Sequence, residues 1–286
     1  MSTPLIIDCH THLNRYEPEE PESLVDRYRL LKAEMSENGI DYSMVLSSYK
    51  ETSDRPSVDD ILAVVDGDPQ IGVVAGVSYQ NYRASDLAHL RTLLREGRIR
   101  GLKLYPGYEP FYVHDARMRV IYELAGEFGV PVMIHTGDTF DPKGKLKYSH
   151  PLEVDEVAVD FRQVTFVICH LGNPWVTDAM EVIYKNENVV GDISGLTLGH
   201  FEERFERYML QQLNEAVAFA GDPSSLLFGT DWPICDIGSY IRFVDQLALS
   251  EEETDLIYHL NSARIFNLDI EEIAASSAAA EAVDAG

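Results

Sequence analysis

This 286-residue chain has few cysteines, few lysines and no long apolar run. Cys9, Cys169 and Cys235 are odd in number and far apart, and none forms a CxxC pair. A disulfide framework is excluded, and a reducing compartment is expected. The longest uncharged apolar stretch, residues 71–77, is too short to cross a bilayer. The opening MSTPLIIDCH has no basic flank and soon meets Asp8 and His10, so neither a signal peptide nor a membrane anchor is expected there. The chain reads as cytoplasmic. No glycine-rich turn follows the first apolar run; His10, Thr11 and His12 stand where a dinucleotide-binding loop needs glycines. Basic residues are scarce, 23 Lys and Arg against 48 Asp and Glu, for a net charge of −25. Such a field repels phosphate, so nucleic acid and anionic membranes are poor partners. A Lys-poor, acid-rich surface suits a salty cytosol and speaks to habitat rather than activity. Nothing in the charge balance bears on assembly, and a homodimer is the default expectation for a chain of this kind.

What remains is an ordinary globular composition, 45% apolar and 25% charged, which excludes wholesale disorder, collagen and coiled coil. Short β-branched runs at 5–9, 42–47, 71–77, 99–104, 131–134, 165–169, 189–193 and 226–229 recur at the spacing of a βα unit. Amphipathic segments lie between them. In 116–128, for example, Met118, Ile121, Tyr122, Leu124 and Ala125 follow helical spacing, and Gly129 and Pro131 end the helix. Eight strands alternating with helices predict a single-domain α/β protein, a distorted (β/α)8 TIM barrel over residues 1–270. An open doubly wound sheet is the alternative, disfavoured by the missing glycine fingerprint. Residues 271–286 are Ala-rich and low in complexity, and a frayed tail is expected there.

In a parallel barrel the C-terminal ends of the strands carry the chemistry. Those ends hold His10 and His12 after the first strand, Lys103 on the fourth, His135 on the fifth, His170 on the sixth and Asp231 after the eighth. Residues i and i+2 of a strand project to one face, so His10 and His12 can reach one ion from a rigid backbone. A lone His-x-His pair is usually two surface histidines. Here the recurrence of His135, His170 and Asp231 at equivalent junctions favours a divalent metal site, with zinc as the expected ion. A divalent ion makes hydroxide available from water near neutral pH, and Asp231 is the natural proton acceptor beside it. Asp231 read simply as a turn residue of Asp-Trp-Pro is the competing view.

The motifs DCHTHL, VMIHTGD, VICHLGNPW and LLFGTDWP, with NSARIF near the end, resemble the amidohydrolase superfamily, specifically its amidohydrolase-related (type 2) group, over residues 5–268. The resemblance implies a distorted barrel with His10, His12, His135 and Asp231 as metal contacts. It makes His170 either a ligand of a second ion or a catalytic partner of the bound water. It also sets Lys103 where binuclear members carry a carboxylated, metal-bridging lysine. An unmodified Lys103 pairing with Asp231 or a substrate carboxylate competes with that reading, and a structural lysine is third. The count of ions, one or two, stays open.

Catalysis is therefore assigned to Asp231 and His170, with Tyr105, His150 and Lys103 as first candidates for substrate contact. Cys9 and Cys169 each precede a site histidine, so strand alternation predicts that both thiols face the helix layer. His89 and His259, in helical segments, read as structural. The leading function is a metal-dependent hydrolase of a small amide, ester or lactone. The alternative is a non-oxidative decarboxylase of a small carboxylic acid, aromatic ones included. A third reading is a barrel that binds a small molecule without turning it over.

Overall fold

The computed structural model describes residues 5–284. Eight strands form one parallel sheet in sequence order: β1 (Ile7–Thr11), β2 (Tyr42–Leu46), β3 (Ile71–Gly76), β4 (Gly101–Leu104), β5 (Val132–Ile134), β6 (Phe166–Ile168), β7 (Val189–Asp192) and β8 (Leu226–Leu227). All seven neighbour pairings are parallel. The two edges meet through Cys9 N to Phe228 O at 3.0 Å and His12 N to Trp232 O at 2.8 Å, with a parallel bridge between Thr11 and Trp232. The result is a nearly closed TIM barrel in a single domain, with β2–β8 up to two residues shorter at either end than the apolar runs suggested and β1 displaced two residues toward the C-terminus.

Each strand is buried on both faces, which explains its near-continuous apolar sequence. One face feeds the layer between barrel and helices, where Val45, Val73, Leu102, Phe166 and Ile168 meet the helices. In the helix Arg119–Phe128, Ile121, Tyr122, Leu124 and Ala125 are buried, and Gly129 ends it in the left-handed conformation at φ 62. The other face fills the barrel with Ile7, Met44, Leu46, Val74, Met133, Val167 and Leu227. Burying each such side chain contributes roughly 1.5–3 kcal/mol before entropy is charged against it.

The Ala-rich C-terminus forms a helix, Ile270–Asp284; residues 285–286 lie outside the described residues. Alanine is the best helix former, and Ile273 anchors the first turn by packing, 3% exposed, with Ala263, Ile265 and Phe266 beneath Ile7 and Tyr42. These residues close the barrel at the strand N-termini, opposite the site. Among the described residues no helix is long and apolar enough to cross a membrane.

Candidate metal centre

The site begins with an irregularity in β1. Its register against β2 shifts between Asp8 and Thr11, and a local bulge of this kind re-aims side chains. Asp8 clamps the bend: Oδ1 accepts from the backbone N–H of His10 at 3.0 Å and of Thr230 at 3.1 Å, and Oδ2 accepts from Thr230 Oγ1 at 2.6 Å. Burial pushes the Asp8 carboxyl up to about 7 against the pull of those hydrogen bonds. His10 O in turn accepts from Asp231 N at 2.8 Å, tying the first and last strand ends together.

Each imidazole is then fixed by what its Nδ1 finds. His12 Nδ1 donates to Leu46 O at 2.9 Å, at the end of β2. His10 Nδ1 donates to Asp192 Oδ2 at 2.9 Å. His170 Nδ1 lies 3.1 Å from Ser194 O. A carbonyl or carboxylate only accepts, so the protons sit on Nδ1 and the Nε2 lone pairs are left for the cavity. His12 Nε2 lies 3.2 Å and His10 Nε2 3.6 Å from Asp231 Oδ1. Lone pairs facing a carboxylate oxygen repel unless something positive lies between them. Ligands at zinc-like distances around a tetrahedral ion stand about 3.4 Å apart, which matches both separations. His135 adds a buried Nε2 without a hydrogen-bond partner among the described residues; its ring centroid is 5.0 Å from that of His170, which is 5.0 Å from that of His10. The donor atoms of His10, His12 and Asp231 lie close enough together to hold one divalent ion, and His135 borders the same cavity.

Electrostatics favours the same states. Burial pulls His10 down to about 3, aided by the Lys103 charge and opposed by Asp192. Burial also lowers His135, with His170 and Lys103 adding to it, and His170, against the pull of Asp231. Neutral imidazoles are what a metal needs. Burial opposes ionisation of Asp231, but positive charge on the facing His12, His10 and His170 would hold the carboxyl well below its usual range, a charge that a bound divalent ion would supply while those imidazoles stay neutral. Asp192 is likewise held ionised despite burial, by its contact with His10 and then by His170 and Lys103.

Two backbone positions show strain at the centre. Asp231 sits at φ 68 and His170 at φ 58, both left-handed and neither glycine. Gly195 explains how close the packing is: a Cβ there would stand 2.5 Å from His170 Nδ1 and 3.0 Å from Asp231 Oδ2. Asp231 thus offers Oδ1 to the histidine pair, while its Oδ2 packs against Gly195.

His10, His12, Lys103, Tyr105, His135, His170 and Asp231 all border one central cavity of about 40 Å³. Lys103 is fully buried, its Nζ 2.7 Å from Cys169 Sγ. Tyr105 donates its hydroxyl to Ser47 O at 2.6 Å and presents its ring to the cavity. His150 is the exception. It does not line the cavity; it stacks on Trp175 at 4.6 Å, with Nε2 3.4 Å from Asp178. The two thiols also depart from expectation, since Cys9 and Cys169 face the barrel interior rather than the helices. Cys169 follows the alternation of Val167, whereas His170 has already left the strand in its left-handed turn. Counting back from that histidine inverts the face, and the β1 bulge does the same at Cys9. His89 pairs with Asp59 at 2.9 Å on the surface, away from the site.

Sequence reasoning passed over Asp192 and Arg55. Asp192 orients His10 and receives the His170 backbone N–H at 2.9 Å; its position at the end of β7 was the available signal. Arg55, half-buried, lines the cavity from the loop after β2 with its guanidinium 5.3 Å from the Tyr16 ring centroid. Among the described residues it makes no ion pair, and neighbouring Asp54 is engaged by Arg15 at 3.6 Å. No motif marks it.

The family model described as amidohydrolase matches residues 7–268. No curated protein matches the chain. Among solved structures it is similar to an uncharacterised TIM-barrel protein of Bordetella bronchiseptica (23% identity, TM-score 0.70, 94% of this chain and 99% of that one). It is similar also to a probable 2-pyrone-4,6-dicarboxylic acid hydrolase of Acinetobacter baumannii with citric acid bound (15%, 0.66, 92% and 99%). A third is a dihydroxybenzoic acid decarboxylase of Polaromonas with bound manganese and 2-nitroresorcinol (14%, 0.66, 94% and 99%). At these identities the likeness shows the fold.

Proposed function

The chain belongs to the amidohydrolase family, and from that premise we propose that it is a metal-dependent hydrolase of a small carboxylate-bearing ester, lactone or amide. The observation that carries this reading is Asp231: its Oδ1 faces the Nε2 atoms of His10 and His12, and it borders the same cavity as His170. A divalent ion bound by His10, His12, His135 and Asp231 supplies Lewis acidity toward water and a substrate carbonyl. The nitrogen-rich donor set favours zinc, and the manganese in the Polaromonas relative makes manganese the second ion to test.

The protein's own groups do the rest. Asp231 Oδ2, ionised and at the cavity wall, takes the proton of the attacking water. His170 Nε2, neutral and directed by Ser194 and Asp192, hydrogen-bonds the group being cleaved. Arg55 anchors the substrate carboxylate, since an uncommitted guanidinium is a good partner for a planar anion. Tyr49 and Tyr108, with ring centroids 6.1 Å apart, provide a flat wall for a planar substrate. Lys103 borders the cavity with its Nζ against Cys169 Sγ.

Decarboxylation is the second reading, favoured by the aromatic wall beside Arg55, which also suits a benzoate. In it Asp231 or His170 delivers a proton to carbon instead of taking one from water. The experiment is a metal assay on the purified protein, followed by a screen of lactones, esters, amides and aromatic acids with released CO2 measured alongside acid. Asp231→Asn should keep the fold and lose at least about 100-fold in kcat. Wild-type rates in that variant would remove Asp231 from the chemistry, and CO2 without acid release would decide for decarboxylation.

A further inference from the structure

The central cavity, at about 40 Å³, has room for only about three waters, enough for a reacting group and no more. It is not closed, however. Tyr108, His135, Phe140, His170, Asp231 and Ile234 border it on one side and a cleft of about 940 Å³ on the other. That cleft shares six residues with the cavity, against one, Tyr49, for a second cleft of about 570 Å³, and so is the favoured place for the rest of a substrate. Its outer wall is Leu198, from the loop after β7, with Phe205 and Tyr208 on the helix Glu203–Ala220. Phe205 and Tyr208 are three residues apart on one helix face, ring centroids 6.1 Å apart. Leu198 is 67% exposed, Tyr208 47% and Phe205 36%. On a chain with a net charge of −25, three adjacent exposed apolar side chains at the mouth of the catalytic cavity form a feature that needs an occupant. Beyond the shared His135, His170 and Asp231, the ionisable groups there are Asp138, Glu202 and His200, and neither Lys nor Arg lines the cleft, so it offers no cationic anchor to a second anion.

We propose, resting on the carboxylate reading above, that this cleft is an apolar subsite and that the substrate is an amphiphile. Its carboxylate lies against Arg55 and its scissile group at Asp231, while an aryl or alkyl extension lies along Leu198, Phe205 and Tyr208. The continuity of cleft and cavity through shared residues argues for the substrate's own tail as occupant.

The test is calorimetric binding of a series of ω-phenylalkanoates, from phenylacetate upward, to the metal-loaded full chain. Affinity should rise toward about fourfold per added methylene, the value for full burial. Leu198→Asp, and independently the pair Phe205→Ala with Tyr208→Ala, should flatten that rise, whereas Arg55→Met should weaken every member by a similar factor. Affinity independent of chain length, with Arg55 still required, overturns the subsite and leaves the carboxylate reading standing. Carboxylates that bind equally well with and without Arg55 overturn the carboxylate reading. If Leu198→Asp instead dissociates a dimer and leaves the chain-length dependence intact, the patch belongs to a second copy and the proposal fails.

Discussion

Asp192 illustrates how a residue outside the donor set governs it. Its two oxygens hold the His10 ring at 2.9 Å and the His170 backbone at 2.9 Å. Carboxylates behind a metal-ligating histidine fix its tautomer and raise its basicity. Asp192→Asn should therefore lower metal affinity by about 10- to 100-fold, read by competition with a chelating indicator. Affinity equal to the wild type would assign Asp192 to packing alone. His10, His12, His135, His170 and Asp231 were all legible from sequence, because a strand end puts its residue at the barrel mouth whatever the loops do. Arg55 and His150, the latter off the central cavity, lie in loops, where spacing says nothing about direction.

At the scale of single elements, the site depends on departures from regular structure. The shifted register of β1 and the left-handed turn at His170 both point side chains where straight strands would not. Gly195, at φ +60, lets the chain after β7 pass against His170 and Asp231. Gly195→Ala should cost about 1–3 kcal/mol of stability by overpacking, measured as a lower denaturant midpoint, and should also weaken metal binding. An unchanged midpoint would show that the loop relaxes freely. The same departures defeated the alternation rule at Cys9 and Cys169. The rule counts residues along a regular strand, and the histidines used as its origin are not on one.

Over the whole molecule, buried imidazoles set the response to acid. Burial lowers His10, His135, His170 and His259 in the folded chain. Each then binds its proton more weakly folded than unfolded, so falling pH protonates the unfolded chain first. Their contribution to the metal-free protein is full above about pH 6.5 and is lost progressively toward about pH 3. Asp8 works in the opposite sense, because its raised pKa keeps the proton on the folded state as pH drops below about 7. Glu34, also raised by burial, acts with Asp8, and two carboxyls against four imidazoles leave the loss dominant. The Tm of chelator-treated protein should fall steadily between about pH 7 and about pH 4, and a flat or rising Tm would contradict this balance. Restoring the ion at neutral pH should raise Tm with concentration, as any ligand of the folded state does.

The barrel and the strand ends bearing its chemistry were written in the chain, because hydrophobic period, βα spacing and turn residues are local properties that survive without knowing the fold. Convergence was not. Which nitrogen of each histidine faces the cavity depends on acceptors supplied by other strands. That Arg55 meets the cavity, that the thiols turn inward, and that Leu198, Phe205 and Tyr208 border the catalytic mouth are likewise matters of closure. Residues remote in sequence become neighbours only when the chain after β8 meets β1, and no local pattern records that geometry.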